Sequence, residues 1–306
     1  MNLLSVVAPA YNEESLIRHF ITEVTKQIEK ITSDYEVIIV DDGSFDSTWT
    51  EITKECLQNQ KIKGLKLSRN FGHHYAITAG LFESAGQWTV VMDSDLQDRP
   101  EVIQDLFNKA QEGFDVVFVN RVDRPETLMY KILQRLFYFI LNLLSGLDFD
   151  SRQANFSIIS RKVVDAFKQF PENGRFYGST IKWLGFERST VEAKHGSRFK
   201  GKPSYTFRKR IKLAVDIILS FSQRPVTISI VIGLLMSFLA LLSSVYILFK
   251  AYSSGYEVTG WASLMISILF TSGSILTMIG VVGIYVGRVY TEAKNRPLFV
   301  VSQRMN

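Results

Sequence analysis

Apolar and polar positions along the chain alternate between two periods. Leu3 to Ala8 is a short apolar run closed by Pro9, and Glu13 to Ile31 then carries Leu16, Phe20, Val24, Ile28 and Ile31 at helical spacing. The unit recurs: Glu36 to Val40 predicts a strand, Asp41 to Thr48 a loop with Ser47 as helix N-cap, and Thr48 to Gln58 a helix. Ile62 to Leu67, His74 to Ala85, Thr89 to Met92, Pro100 to Glu112 and Asp115 to Val119 continue it, with Pro100 placed as the first residue of its helix. Strands alternating with helices of this length predict an α/β domain with right-handed crossovers and a mostly parallel sheet covered on both faces. Ligands of such sheets sit beyond the carboxyl ends of the strands. Pro9-Ala-Tyr-Asn-Glu13, Asp41-Asp42 and Asp93 to Asp98 all fall at that edge.

After this the pattern changes. Leu128 to Leu144 has Lys131, Gln134, Arg135, Tyr138 and Asn142 at spacings of three and four, with Leu, Ile and Phe filling the rest. A helix with so wide an apolar face predicts residence in a membrane interface. Ser151 to Phe186 reads as the remainder of the globular domain, with a helix around Lys162 to Gln169 and a turn at Pro171-Glu-Asn-Gly174. Two charge-free runs follow, Val226 to Phe249 and Trp261 to Gly287. Each exceeds the roughly 20 residues that cross a bilayer core. The expected division is a catalytic domain over residues 1–204, an amphipathic segment over 205–224, two membrane helices within 225–290 and a tail over 291–306.

Composition adds constraints. The chain of 306 residues carries a net charge of +5 and a single cysteine, Cys56, so it has no internal disulfide framework. The excess charge gathers in one place: Lys194, Arg198, Lys200, Lys202, Arg208, Lys209, Arg210 and Lys212 run into the amphipathic stretch Ile211 to Phe221 and then into the first apolar run. That position favours anionic headgroups or a lipid phosphate over nucleic acid. The link between the apolar runs holds Lys250 and Glu257, whereas the other ends are rich in Arg and Lys, which places both termini on the cytoplasmic side. Gly273, Gly280, Gly283 and Gly287 give the second run small faces for helix packing.

The densest chemistry lies in Val90-Val-Met-Asp-Ser-Asp-Leu-Gln-Asp-Arg-Pro-Glu101. Residues two apart on an extended chain share a side, so Asp93, Asp95 and Gln97 are expected to aim oxygens at one point. Magnesium or manganese held by one or two carboxylates completes its shell with water and substrate phosphates, which predicts a metal-bound nucleotide diphosphate. A solvated acidic turn that caps the next helix is the other reading. Neither G-x-G-x-x-G after the first strand nor a G-x-x-x-x-G-K-[ST] loop occurs, which removes the main support for a dehydrogenase or P-loop kinase. Tyr11 is available to stack on a base.

Val7-Ala-Pro-Ala-Tyr-Asn-Glu-Glu14, Val40-Asp-Asp-Gly-Ser44, Met92-Asp-Ser-Asp-Leu-Gln97 and Tyr285-Val-Gly-Arg-Val-Tyr-Thr-Glu-Ala-Lys-Asn-Arg-Pro297 together resemble the motifs of family 2 glycosyltransferases. Within that family the chain is similar to the polyisoprenyl-phosphate glycosyltransferases, the bactoprenol glucosyltransferases and dolichol-phosphate mannose synthases, over nearly its whole length. The resemblance implies a GT-A fold in which Pro9, Tyr11, Glu13 and Asp42 hold the nucleoside and Asp93 lies near ribose and diphosphate. It further implies that Asp95 and Gln97 bind Mg2+ or Mn2+. Arg121, Arg124, Lys131 and Arg135 would grip the acceptor phosphate, and Arg198 would reach the phosphates from a basic loop. The reaction itself would rest on Asp93, Asp95, Arg121 and Arg135. The implied partners are a nucleotide sugar, with UDP-glucose favoured, and undecaprenyl phosphate in a bacterial inner membrane. A tetramer and a role in O-antigen or envelope glycan modification are implied in the same way.

Three departures fall in the expected acceptor and sugar region. Relatives often carry Gly-Asp-Phe-Arg-Leu where this chain has Ala154-Asn-Phe-Ser-Ile158, an arginine where it has Gly178, and Ser-Lys where it has Pro203-Ser204. They bear on the sugar more than on the reaction, because a phosphate monoester is already largely ionised at neutral pH and needs little general-base help. One in-line displacement predicts inversion at the anomeric carbon. A transferase for mannose, an N-acetylhexosamine or an amino-deoxy sugar, a processive synthase and a silent scaffold are the competing readings. Against the synthase, none of Trp49, Trp88, Trp183 and Trp261 sits in a Gln-x-x-Arg-Trp signature.

Overall fold

A computed structural model describes residues 3–122, 128–146, 150, 152–170, 172, 175–194, 215, 218–219, 222–254 and 260–306. The chain divides into two compact units, residues 1–142 with 147–211 and 296–306, and residues 143–146 with 212–295.

The first unit is built on one eight-stranded mixed sheet. β1 (Leu4–Ala10) lies between β2 (Tyr35–Asp41) and β4 (Trp88–Val91), both parallel to it, with Val7 opposite Ile38 on one side and Val91 on the other. β3 (Ile62–Leu67) continues the parallel run beyond β2. On the other side, β6 (Gln153–Ser160) is antiparallel to both β4 and β5 (Val116–Val122), and β7 (Arg188–Lys194) pairs parallel with β5. β8 (Val301–Met305) closes the far edge antiparallel to β3, so the order is β7-β5-β6-β4-β1-β2-β3-β8.

Every residue of β1 and β2 is buried, which is why these strands read as continuous apolar runs. Alternate residues feed opposite faces. Val6 and Ala8 join Phe20 and Val24 of α1 (Ile17–Ile28), Ile52 of α2 (Thr48–Gln58) and Ile103 and Leu106 of α4 (Val102–Gln111). Val7 and Ile38 pack instead with Ile77 and Leu81 of α3 (His73–Glu83). Val163 and Phe167 of α6 (Arg161–Gln169) and Ile181 of α7 (Tyr177–Trp183) complete that second core. Gly80 lets α3 approach β1 closely, since a Cβ there would run into Val7 Cγ1.

Two local expectations are corrected. Ser47 occupies the N-cap position of α2 without a capping side-chain bond; the Asp46 carboxylate takes the Thr48 N–H at 3.0 Å and its hydroxyl at 2.5 Å instead. Pro100 precedes α4 rather than starting it, because Arg99 and Pro100 carbonyls first form a turn with Val102 and Ile103. The strands β6, β7 and β8 come from stretches in which the sequence pattern showed no strand.

α5 (Leu128–Ser145) exposes Leu136, Phe139, Ile140 and Leu143, an i, i+3, i+4, i+7 stripe on one face. In the second unit, α8 (Arg224–Ser254) has 31 residues and α9 (Trp261–Ala293) has 33. Both are long and apolar enough to cross a membrane, with windows Arg224–Ser243 and Phe270–Ala293 of mean hydropathy 2.4 and 1.6, neither buried in protein. The basic run from 195 to 212, with Arg198, and Arg124 lie outside the described residues, as does the Pro203-Ser204 departure.

Candidate active site

Three loops meet at the carboxyl edge of β1, β2 and β4, and backbone hydrogen bonds tie the first two together. Asn12, in the left-handed region at φ 55°, donates its N–H to Ser44 Oγ at 2.9 Å, while its side-chain oxygen accepts the Phe45 N–H at 3.0 Å. The Glu13 N–H reaches Thr48 Oγ1 at 2.8 Å, and Glu14 Oε2 accepts the Ser47 N–H at 2.9 Å. This lacing leaves Tyr11 at 40% exposure and Phe45 at 89%, their rings edge-to-face at 6.4 Å. Pro9 contributes its carbonyl, which accepts the Ser94 hydroxyl at 2.9 Å and so fastens the first loop to the third.

Asp42 is buried and has a job inside the fold. Its two oxygens accept the N–H groups of Phe71 and Gly72 at 2.7 and 2.9 Å. Burial raises its pKa against the pull of those two donors. The contact fixes the turn into α3, where Gly72 sits at φ 110°, a conformation that favours glycine. α3 therefore starts at a set point, and its first residue, His73, faces the acidic loop.

The loop is not a continued strand, because β4 ends at Val91 and Leu96 turns left-handed at φ 57°. Asp95 and Gln97 are instead linked directly, Asp95 Oδ1 accepting the Gln97 N–H at 3.0 Å. Asp93 goes its own way. Its Oδ1 is shut off from solvent, has no hydrogen bond of good geometry, and lies 3.3 Å from His73 Nε2. Burial pushes the Asp93 carboxyl above its ordinary range; His73 pulls it back, while Asp98 and Asp95 add to the rise. Asp98 is buried and holds Arg121, at the end of β5, through Nη2 at 2.9 and 3.2 Å. Asp98 thus makes Arg121 part of the acidic edge.

The remaining candidates divide. Arg135 is exposed on α5, and Lys131 belongs to the same helix. The departures are visible as packing: Ser157 is fully buried with its hydroxyl 2.7 Å from that of Tyr177. Asn155 Nδ2 stands 3.5 Å from His73 Nε2, and a Cβ on Gly178 would lie 3.6 Å from Asn155 Oδ1. Sequence reasoning passed over His73 and the Asp98–Arg121 pair. The histidine sits in an apolar helical run, and the pair joins residues 23 apart through the fold.

Among the described residues no group of three or more His, Cys, Asp and Glu side chains is disposed to cage a metal. Asp95 and Gln97, whose side chains carry oxygen donors and whose loop is closed by the Gln97 N–H on Asp95 Oδ1, fit the open kind of magnesium or manganese site that substrate phosphates complete.

Residues 5–167 match the sequence profile described as Glycosyl transferase family 2. The chain is a family 2 glycosyltransferase. This glycosyltransferase is 37% identical over 301 residues to an uncharacterized glycosyltransferase of Synechocystis sp., covering 98% of this chain and 94% of the relative. It is 33% identical over 301 residues to the bactoprenol glucosyl transferase of Shigella phage SfII, covering 98% and 97%. Solved structures share the GT-A fold: glucosyl-3-phosphoglycerate synthase of Mycobacterium tuberculosis, in complex with Mn2+, UDP and glucosyl-3-phosphoglycerate, gives a TM-score of 0.52 at 19% identity over 71% of this chain and 78% of that one. The mannosyltransferase PcManGT of Pyrobaculum calidifontis, in complex with GDP-Man and Mn2+, gives 0.51 at 15% identity over 95% and 86%.

Proposed function

We propose that this glycosyltransferase moves a sugar, glucose in the first instance, from a nucleotide diphosphate sugar to undecaprenyl phosphate at the cytoplasmic face of a bacterial inner membrane. One observation carries the reading: similarity to the bactoprenol glucosyl transferase of Shigella phage SfII spans 98% of this chain, and so runs through both long apolar helices as well as the sheet. The exposed apolar stripe of α5 supports an interfacial helix. In this reading α8 and α9 span the bilayer, residues 1–204 form the catalytic domain and the product serves envelope glycan modification.

The roles follow from the chemistry of the side chains. Pro9, Tyr11 and Glu13 would border the nucleoside, with Asp42 acting on it indirectly through the turn at Gly72. Asp95 and Gln97 would hold the divalent cation. When bound, such an ion supplies neutralisation of the charge that develops on the leaving diphosphate. Arg121, oriented by Asp98, presents a planar guanidinium suited to paired hydrogen bonds with phosphate, and Arg135 and Lys131 on α5, with Arg124 and Arg198, would add to the grip. The acceptor oxygen is ionised without help, so Asn155 in place of an acid leaves the displacement intact. The enzyme's contribution is to align that oxygen behind the anomeric carbon. The product should carry the inverted configuration.

The test is nucleotide release by the detergent-purified protein offered UDP-, GDP- and dTDP-sugars, with manganese or magnesium, with and without undecaprenyl phosphate. Release that needs both lipid and metal is the expected result. Turnover with a water-soluble acceptor alone, or a product of retained configuration, would overturn it.

A further inference from the structure

Two consecutive histidines open α3, and the roles assigned above use neither. Their surroundings differ. His74 is held from three sides: its Nδ1 accepts the Tyr177 N–H at 3.4 Å, and its ring meets the edges of Phe176 and His73, each at 5.5 Å. Burial brings its pKa down to about 3, so it is a neutral wedge and not a charge. His73 is pressed outward by that wedge toward the acidic loop, where its Nε2 has two polar neighbours, Asp93 Oδ1 at 3.3 Å and Asn155 Nδ2 at 3.5 Å.

A third of the Asp93 side chain is exposed, 32%, yet Oδ1 is shielded and without a well-formed hydrogen bond. The exposure therefore falls on the rest of the side chain, away from His73. A carboxylate with one oxygen held in this way can present only the other to a ligand. The backbone carries the arrangement further back: Asp42 grips Phe71 and Gly72, Gly72 starts α3, and α3 sets His73.

We infer that His73 is a positioning residue of the donor subsite, which holds Asp93 Oδ1 so that the opposite oxygen faces the nucleotide diphosphate of the donor. The inference rests on the glycosyl-transfer reading above and adds to it a residue outside the acidic loop. His73 also stands 3.5 Å from Asn155, in the expected acceptor and sugar region, but the oxygen it holds belongs to Asp93 on the donor side, so its effect is expected on donor binding. Loss of a close polar contact to a carboxylate is worth about a factor of ten in affinity. Removing His73 should raise donor KM about tenfold, leave kcat within about twofold and leave acceptor KM unchanged, the signature of lost uniform binding.

The experiment uses the full-length protein in detergent and three forms, unaltered, His73→Ala and His73→Gln. Calorimetric titration with UDP and with GDP, each in Mn2+, is read beside donor and acceptor kinetics and thermal unfolding. Expected is a dissociation constant about tenfold weaker for His73→Ala, and within about threefold of the original for His73→Gln, whose side-chain amide N–H can stand where Nε2 stands. Equal nucleotide binding by all three forms overturns the inference, as does a glutamine form no better than alanine or an equal shift in acceptor KM. Binding effects as expected, with no transfer to undecaprenyl phosphate, uphold it and remove the acceptor reading instead. No binding of either nucleotide by the unaltered protein would overturn both.

Discussion

The two ends of the sheet treat buried acids in opposite ways. At the amino end, Glu36 is fully buried: Oε1 accepts the Ser5 hydroxyl and the Ala85 N–H at 2.6 Å, and Oε2, without a well-aligned hydrogen bond, is ion-paired with Lys63 Nζ at 2.8 Å. Burial alone would raise its pKa, but Lys63, Ser5 and the Ala85 N–H together lower it. At the carboxyl end, burial wins at Asp93, whose pKa is raised and whose Oδ1 lacks a good hydrogen bond. A buried carboxylate with a lysine against it serves the fold, whereas one with only a histidine at 3.3 Å is tolerated where a ligand is expected to complete it. The contrast separates what this chain spends on folding from what it reserves for binding.

Breaking the reserved end should cost most in rate. Asp95→Asn is expected to lower sugar transfer about a thousandfold, about 4 kcal/mol of barrier, with the unfolding temperature unchanged. Nucleotide-release assays and a thermal scan on the same preparation check both halves. The ion-paired end should behave inversely. Glu36→Ala strands Lys63 and two donors and should cost about 3 kcal/mol of stability in denaturant titrations, while the folded fraction keeps its activity per molecule.

Acid sharpens the comparison by separating two windows. The folded His74 titrates at about 3 against 6.5 for an ordinary histidine, so below 6.5 the unfolded chain binds a proton the folded one refuses. Stability should then fall by about 1.4 kcal/mol per pH unit as pH drops from 6.5. Glu36 is depressed in the folded state, so its contribution is complete above the ordinary 4.5 and is lost only as pH falls through the lower folded value. Unfolding temperatures measured from pH 7.5 to 5 should flatten in His74→Gln and keep their slope in Glu36→Gln. An unchanged slope in His74→Gln would mean that another group carries the acid response. The smallest effect concerns the lacing of the loops: Asp46→Ala should cost about 1 kcal/mol as the true cap of α2, and Ser47→Ala no more than a few tenths. The same thermal scans resolve the pair.

Legibility in the sequence followed locality. α2 and β3 have the bounds that periodicity predicted, Thr48–Gln58 and Ile62–Leu67, because propensity, turn residues and pattern agree within a dozen positions. β7 alternates exposed and half-buried residues and carries Arg188, Glu192 and Lys194, so nothing in its composition marks a strand; pairing with β5 makes it one. The site split in the same way. The acidic loop that carries Asp93, Asp95 and Gln97 was legible as a D-x-D stretch between a strand and a helix. His73 and the bond from Asp98 to Arg121 were not, because what brings them to the edge is the placement of α3 and β5 on the sheet.

β8 has a consequence for how the protein is made. Its partner β3 belongs to the early part of the chain, yet Val301–Met305 emerges only after α8 and α9 have been synthesised. Until then the edge of β3 stays open, and the Asn306 side chain has not yet bridged the Cys56 and Ile62 carbonyls. Domains ordinarily mature in the order of translation. Here the sheet waits for the helices, so a chain cut short before Val301 would leave an incomplete sheet with an open strand edge.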